Sequence, residues 1–591
     1  MENSKIAALV ELGILCRGEP VEVCGDGSLD VGPHRYSAHD QLCQYENPSC
    51  RHPFEDSSIP AFEYYSPDLT IEGALARTRL VILIGVADSE ALKLCLANPN
   101  LILIIFEPDE RVLIRFLESV RLSRLNRKNI FCFTGDPYSL NPALQDLLPG
   151  EMFKAGTPAF FMTDRIREGY GPWAKDVIEY LEILHYRHVI YPLSGQTLAR
   201  SRPFRNIHRG MLCDQQLHAY ENIPDWLTFP SIAGLKNRFS GGSAILVAAG
   251  PELPEKFEYI RRNMGQVVII CVNNAIKPLA EAGIHPHFVV INDTSITSGH
   301  VFKHIPKMAE TILVGHCLSD LGGDRFKQKY LFGSFLPELF GEREMLRLHG
   351  SVISTAFALA RHLGCGQCAF VGAQLASDNP WGLGYAKGTV GKDVLEQQRP
   401  LIHKHPQLYP KTSPFGEQLY TTLNFRDAAL WLGEVIRLSG MDCVNTSKSS
   451  ILFGREIRYE AEPDFSGTPV KRIMADLFRT EPPRVDRAGV KRYLNHELAL
   501  WASVRDAAKA ILSEEGPTLT AKGMAVLSQL DKSNVTYLLE RYEGYINGIF
   551  YLKVFKGDES TREEGMRYFY THLCRMCDEF LAKLNVAVRS L

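Results

Sequence analysis

No stretch of this 591-residue chain is apolar for long enough to span a bilayer. The opening residues, MENSKIAALVELGILCRGEP, carry one lysine, beside Glu2, and Glu11 interrupts the apolar stretch that follows. They lack the basic leader region and small-residue cleavage site of a secretory signal. An excess of one charge is missing too. Lys and Arg total 65 against 68 Asp and Glu, a net charge of -3, which argues against a general nucleic-acid binder. The 14 cysteines are scattered, as expected of a reducing compartment, so a cytoplasmic protein without a membrane span is expected. Two CxxC pairs, Cys365/Cys368 and Cys574/Cys577, lie too far apart for one compact zinc module, and the second falls inside a helical pattern. His285 and His287 have no third ligand at a convincing spacing, and no clustered DxD follows a strand, so no metal is expected. Internal repeats and low-complexity segments are absent.

What is present is alternation. The spacing predicts an α/β protein with two Rossmann-like parallel-sheet domains and an all-α C-terminal domain, divided at 1–215, 216–460 and 461–591. In the first region, RLVILIGVADSEALKLCLANPNLILIIFEPDE places two continuous apolar strands around a helix, a βαβ unit buried on both faces. Glu107 ends the second strand, where nucleotide-binding sheets hold a ribose. The turn Gly85-Val86-Ala87-Asp88 has one glycine where a dinucleotide fingerprint needs three, so a scaffold without ligand is expected there. The second region carries SAILVAAG, QVVIICVN, PHFVVIND, ETILVGHC and QCAFVGAQ, each followed by polar residues. The third shows apolar residues recurring at three and four, as in VKRYLNHELALWASVRDAAKAIL.

Ligands of open α/β sheets bind outside the carboxyl ends of the strands. The residues just past the strands of the middle region are Gly250-Pro251-Glu252, Asn273-Asn274, Asn292-Asp293-Thr294, His316, and Gly372-Ala373-Gln374; His349-Gly350-Ser351 opens a helix. Each has an ordinary alternative. Asn273, Asn274 and Ser351 are suited to capping helices, and a lone histidine at a loop is commonly a satisfied one. Their convergence on one sheet edge is the stronger argument for a pocket.

The runs FSGGSAILVAAGPEL, VVIICVNNAIKPLAEAGIHPHFVVINDTS, LHGSVISTAFALARHLGCGQCAFVGAQLAS, YTTLNF and NTSKSSILFGR resemble the motility accessory factor family of flagellin glycosyltransferases. LIGVADSEAL and IIFEPDE are similar to that family's degenerate nucleotide-binding-like N-terminal domain. The resemblance implies a sialyltransferase-like central domain. It implies transfer of a pseudaminic or legionaminic type of sugar from a CMP donor to Ser or Thr of flagellin, in support of flagellum assembly. Carried over by position, it implies nucleotide contacts for Gly250, Pro251, Asn273, Asn274 and Ser351. It implies a catalytic part for Asp293, and acceptor or sugar contacts for Gln374, Tyr420 and Thr422. The family's serine is replaced by Glu252, its acid by Gln374 and its late glutamate by Lys448. Glu252 is therefore expected to face away from a phosphate or to pair with a cation, Lys448 first.

A single donor phosphate can be met by helix N–H groups and a hydroxyl without a metal cofactor. The acceptor hydroxyl must lose a proton, and Asp293 and His316 are both candidates for the base. Two other classes compete: a non-enzymatic flagellin-binding or scaffolding protein on a decayed transferase fold, and a pterin pyrophosphokinase-like enzyme, which would need several acids for Mg²⁺.

Overall fold

The computed structural model describes residues 2–21, 32, 34–39, 70–76, 78–125, 129–140, 159–185, 207–294, 301–333, 336–346, 349, 351–378, 385–389, 409–421, 423–453, 456–465, 467, 469–532 and 558–591. By contacts the chain divides into two compact units, the first made of residues 1–192 and 403–407, the second of residues 193–402 and 408–591.

The first unit holds β1 (Leu15–Arg17), β2 (Tyr36–His39), β3 (Leu80–Ile84), β4 (Ile102–Glu107), β5 (Ile130–Thr134) and β6 (Ala159–Thr163), ordered β1-β5-β4-β3-β6-β2. All neighbours run parallel except β2, which is antiparallel to β6. β3 and β5 are buried along their whole lengths, which is why they read as unbroken apolar runs. Helix α1 (Glu90–Ala97) follows β3 and is capped by Ser89, whose hydroxyl accepts from the Leu92 amide; α2 (Asp164–Gly169) follows β6.

The second unit is built on an eight-stranded, wholly parallel sheet. Its strands are β7 (Ser243–Val247), β8 (Val268–Val272), β9 (Phe288–Ile291), β10 (Met308–His316), β11 (Phe326–Phe332), β12 (Gln367–Val371), β15 (Asp442–Asn445) and β16 (Ile457–Tyr459). A hairpin, β13 (Tyr409–Thr412) with β14 (Gln418–Thr421), stands apart from it. The order β11-β10-β9-β8-β7-β12-β15-β16 reverses direction between β7 and β12. That is the topological switch point of a doubly wound sheet, the place where a crevice opens beyond the carboxyl ends. In the first unit the same reversal falls between β3 and β6.

Helices α3 (Ile207–Glu221), α4 (Val352–His362), α5 (Leu423–Ser439), α6 (Arg487–Leu512), α7 (Gly516–Lys532) and α8 (Glu559–Arg589) complete the unit. The helical tail does not form a core of its own. One continuous apolar cluster runs from Cys213 through the sheet to Ala587. Tyr220 of α3 meets Phe580 of α8 edge-on at 5.5 Å, and Trp501 of α6 meets the same ring at 4.8 Å. The Trp501 indole N–H donates to the Tyr220 hydroxyl at 2.8 Å, so the junction is polar-satisfied as well as packed.

Candidate functional site

In the first unit the switch-point crevice is closed by the chain itself. A Cβ on Gly85, which has φ +93°, would overlap Thr163 and Ile166. Glu107 is fully buried; one oxygen accepts from the Val86 N–H at 3.0 Å and from Arg165, the other from the Asp109 N–H at 3.2 Å. Burial pushes its carboxyl up, and the Arg165 guanidinium pulls it back. The acid that would hold a ribose is thus bound to its own neighbours.

In the second unit, α4 enters β12, which lies parallel to β7, and packs across β7, β8 and β9. A crossover helix runs antiparallel to the strands, so its N-terminus opens at their carboxyl edge. Ser351 occupies the N-cap position of α4, with φ −145° and ψ 143°, yet its side chain makes no capping hydrogen bond. Asn273 follows β8; it is 2% exposed and its Oδ1 has no partner. Neither residue does the capping that would have explained it. The hydroxyl and the N–H groups at the start of α4 are the kind of donors that receive an anion.

Asp293, just past β9, is half-buried and faces Tyr385. The Tyr385 hydroxyl is pushed up, first by burial and then by that carboxylate. Tyr385 packs edge-on against Phe425 of α5 at 6.5 Å, and the next residue, Ala386, donates its N–H to the Ala249 carbonyl at 2.8 Å. Residues 385–386 therefore tie the ends of β7 and β9 to α5. Asn274 is half-buried beside Asn273, and Tyr420 of β14 exchanges backbone hydrogen bonds with Ser377 at 2.7 Å. Thr422 lies outside the described residues.

Three expectations need correction. The Gly250-Pro251-Glu252 turn does not present its amides to a ligand. Gly250 N–H donates to the Gly372 carbonyl at 2.8 Å. With the Gln374 amide oriented to satisfy both its ends, its nitrogen donates to Gly372 O at 3.1 Å and its oxygen accepts from the Glu252 N–H at 3.2 Å. Gln374, 2% exposed, is the occupant of that crook, so it supports the turn rather than meeting a sugar or an acceptor. Lys448 is not the partner of Glu252: it lies 5.6 Å over the Phe415 ring and 5.1 Å over Tyr459, and among the described residues Glu252 has no ion pair. The two rings, Phe415 in the β13–β14 turn and Tyr459 at the end of β16, attract the ammonium through their π faces.

His316 is the third. It ends β10, three strands from β7, and its ring lies against Gly333 and edge-on to Phe332. Its Nδ1 accepts from the Leu318 N–H at 3.3 Å. Burial lowers it to about 4, as it does His287. These two rings stay neutral in the folded chain and gain protons on unfolding. Stability is therefore expected to fall as pH drops from about 6.5, the unfolded value, toward 4. Urea titrations across that window should show the loss, with a shallower slope in His316→Gln; an identical slope would show that His316 is not the titrating group.

The sequence reading passed over one constellation. His349 Nε2 lies 2.8 Å from Oδ2 of Asp427, which is fully buried on α5. The imidazole stacks on Trp431 of the same helix, centroids 5.0 Å apart and planes 7° from parallel. Its carbonyl accepts from the Ser351 amide and the Ser354 hydroxyl. A histidine two residues before a helix start was the visible signal; its partners lie about 80 residues on, and pairing at that range is not written in spacing.

The fold is that of a doubly wound α/β protein with a topological switch point in each of its two sheets. The comparisons with known proteins are narrower. Residues 217–380 match the family model described as MptE-like, 6-hydroxymethylpterin diphosphokinase MptE-like. A solved structure, the MAf glycosyltransferase from Magnetospirillum magneticum AMB-1, is similar over 86% of this chain and 78% of its own, at 15% identity and a TM-score of 0.43. No curated protein matches the sequence. Among the described residues no helix is long and apolar enough to cross a membrane, and no group of three or more His, Cys, Asp or Glu could hold a metal.

Proposed function

We propose that the protein is a glycosyltransferase that moves a nonulosonic acid, of the pseudaminic or legionaminic type, from a CMP-activated donor to Ser or Thr of flagellin in the cytoplasm. The observation that carries this reading is the start of α4, where Ser351 stands at the N-cap with its hydroxyl unused for capping. Together with the motifs this sequence shares with the motility accessory factors, it supports a donor phosphate at that helix end. Asn273 and Asn274 then face the nucleoside, with the unpartnered Asn273 Oδ1 as an acceptor for it. Pro251, exposed at the rim, borders the same nucleotide, while Gly250 shapes the turn beneath. Asp293 takes the proton of the acceptor hydroxyl, and Tyr420 and Thr422 lie toward sugar or acceptor. Asp293 lies just past β9, nearer the start of α4, whereas burial lowers His316 to about 4 and its Nδ1 already accepts from the Leu318 N–H, so the carboxylate suits this base role better.

Intact-mass analysis of flagellin made with and without the protein in its host tests the reading: the sugar's mass should vanish in its absence, and an unchanged flagellin mass would refute it. Calorimetric titration of CMP tests the site. Ser351→Ala should weaken CMP by about 1–3 kcal/mol, the value of a hydrogen bond to a charged group, and equal affinity would remove Ser351 from the site. The match of residues 217–380 to a diphosphokinase family favours a second reading, pyrophosphoryl transfer to a hydroxymethylpterin. Tight binding of ATP and that pterin, with none of CMP, would select it.

A further inference from the structure

His349 is held from three directions, by the Asp427 carboxylate at Nε2, by the Trp431 face and by the bonds at its own carbonyl. Such fixing of a ring is more than packing requires. Its side chain is 12% exposed, and among the described residues Nδ1 has no hydrogen-bond partner. The ring precedes by two residues the uncapped start of α4, and Thr355, fully buried in the first turns of that helix, has an Oγ1 without a partner. The polar capacity left over is thus gathered at one end of one helix.

We propose that His349 binds the donor phosphate: its Nδ1–H donates to a non-bridging phosphate oxygen, while Asp427 holds the Nε2–H and so acts as a positioning residue. This rests on the nucleotide-sugar reading above. With Nε2–H held by a carboxylate, Nδ1 is an acceptor in the neutral ring and a donor in the imidazolium; an anion at the helix end selects the donor form. The transfer then balances as follows. The bond from the sugar's anomeric carbon to the phosphate oxygen breaks, and its electron pair stays on that oxygen. The acceptor hydroxyl oxygen bonds to the carbon, its proton passes to the Asp293 carboxylate, and CMP departs with one further negative charge. The imidazolium and the N–H groups at the start of α4 stabilise that added charge where it develops.

The test uses the full chain, titrated calorimetrically with CMP and, separately, with cytidine. His349→Ala should bind CMP about 10- to 100-fold more weakly than the wild type, as for loss of a charge-assisted hydrogen bond, and bind cytidine unchanged. Asp427→Asn should lower the CMP-to-cytidine affinity ratio in the same direction by less. His349→Asn, nearer in size and polarity, serves if the alanine variant unfolds, and thermal melting identifies that case. CMP binding at wild-type strength by a folded His349 variant would overturn the phosphate role and leave the nucleotide reading standing. Equal weakening of CMP and cytidine would overturn it as well, since a phosphate contact affects only one of them. Binding of neither ligand by the wild type would remove the nucleotide reading, and this proposal with it.

Discussion

Gly250→Ala is expected to destabilise the second unit by about 3 kcal/mol or more and to lower its unfolding midpoint by several degrees. Any Cβ at this position overlaps both the Gly372 carbonyl oxygen and the Gln374 side chain. A flexible side chain can move aside, but the Gly372 carbonyl is backbone, and it also accepts the Gly250 N–H at 2.8 Å. Gly372 has φ +64° and Leu375 φ +51°, so the loop beyond β12 is held in left-handed backbone, which a branched residue such as Leu375 adopts only at a cost of about 1–3 kcal/mol. Ser450 Oγ donates to this loop at Ala373 O, 3.0 Å, and Ile451 N–H to Gln374 O, 3.0 Å, so it has little room to yield. If Gln374 swings away, the Glu252 N–H loses its acceptor. The double variant Gly250→Ala with Gln374→Ala should recover only part of the loss, because the backbone clash remains. Melting followed by circular dichroism checks both; a Gly250→Ala midpoint within about a degree of wild type would show that the turn has slack which the packing denies.

The fold was legible where strands are buried on both faces. β7, β8, β9 and β12 lie within the apolar runs read from sequence, because continuous burial leaves few polar interruptions, while β10 starts two residues before its run, with Ala309 and Glu310 exposed. β11 was not legible. Its FKQKYLF carries Lys329, which is 1% exposed and paired with Asp225 at 2.7 Å, a partner that only the fold supplies. Period-3.6 helices are visible one at a time, but the Tyr220, Trp501 and Phe580 contacts that join the tail to the sheet domain span nearly the whole second unit. The site was half legible. Positions past strand ends could be named from pattern alone, and Asn273, Asp293 and Ser351 fall at the carboxyl edge by topology. The Gly-Pro turn misled, since a glycine turn after a strand looks the same whether a phosphate or a glutamine side chain fills it.

The first unit offers the counterpart. Arg165→Ala is expected to destabilise it by about 3–5 kcal/mol at neutral pH, since it leaves Glu107 buried without its cation. The sign of the pH dependence follows from the carboxyl's position. Burial already pushes Glu107 up, and removing the guanidinium that opposes this pushes it further. The folded variant then holds a proton that the unfolded chain releases above about pH 4.3, so its stability falls as pH rises from there. The deficit against wild type should be larger at pH 8 than at pH 5. Arg165→Ala combined with Glu107→Gln removes the charge and should regain part of the loss, with a flatter pH profile. Urea unfolding of the three variants at both pH values measures this. A deficit independent of pH would mean that Arg165 stabilises through its stacking over Tyr170, at 5.4 Å, rather than through Glu107. The same comparison bears on function. In a ribose site the acid must be open to a sugar, whereas here its oxygens already accept from Val86, Asp109 and Arg165. A nucleotide would have to displace that whole set, so the pair that stabilises this sheet also keeps its crevice closed.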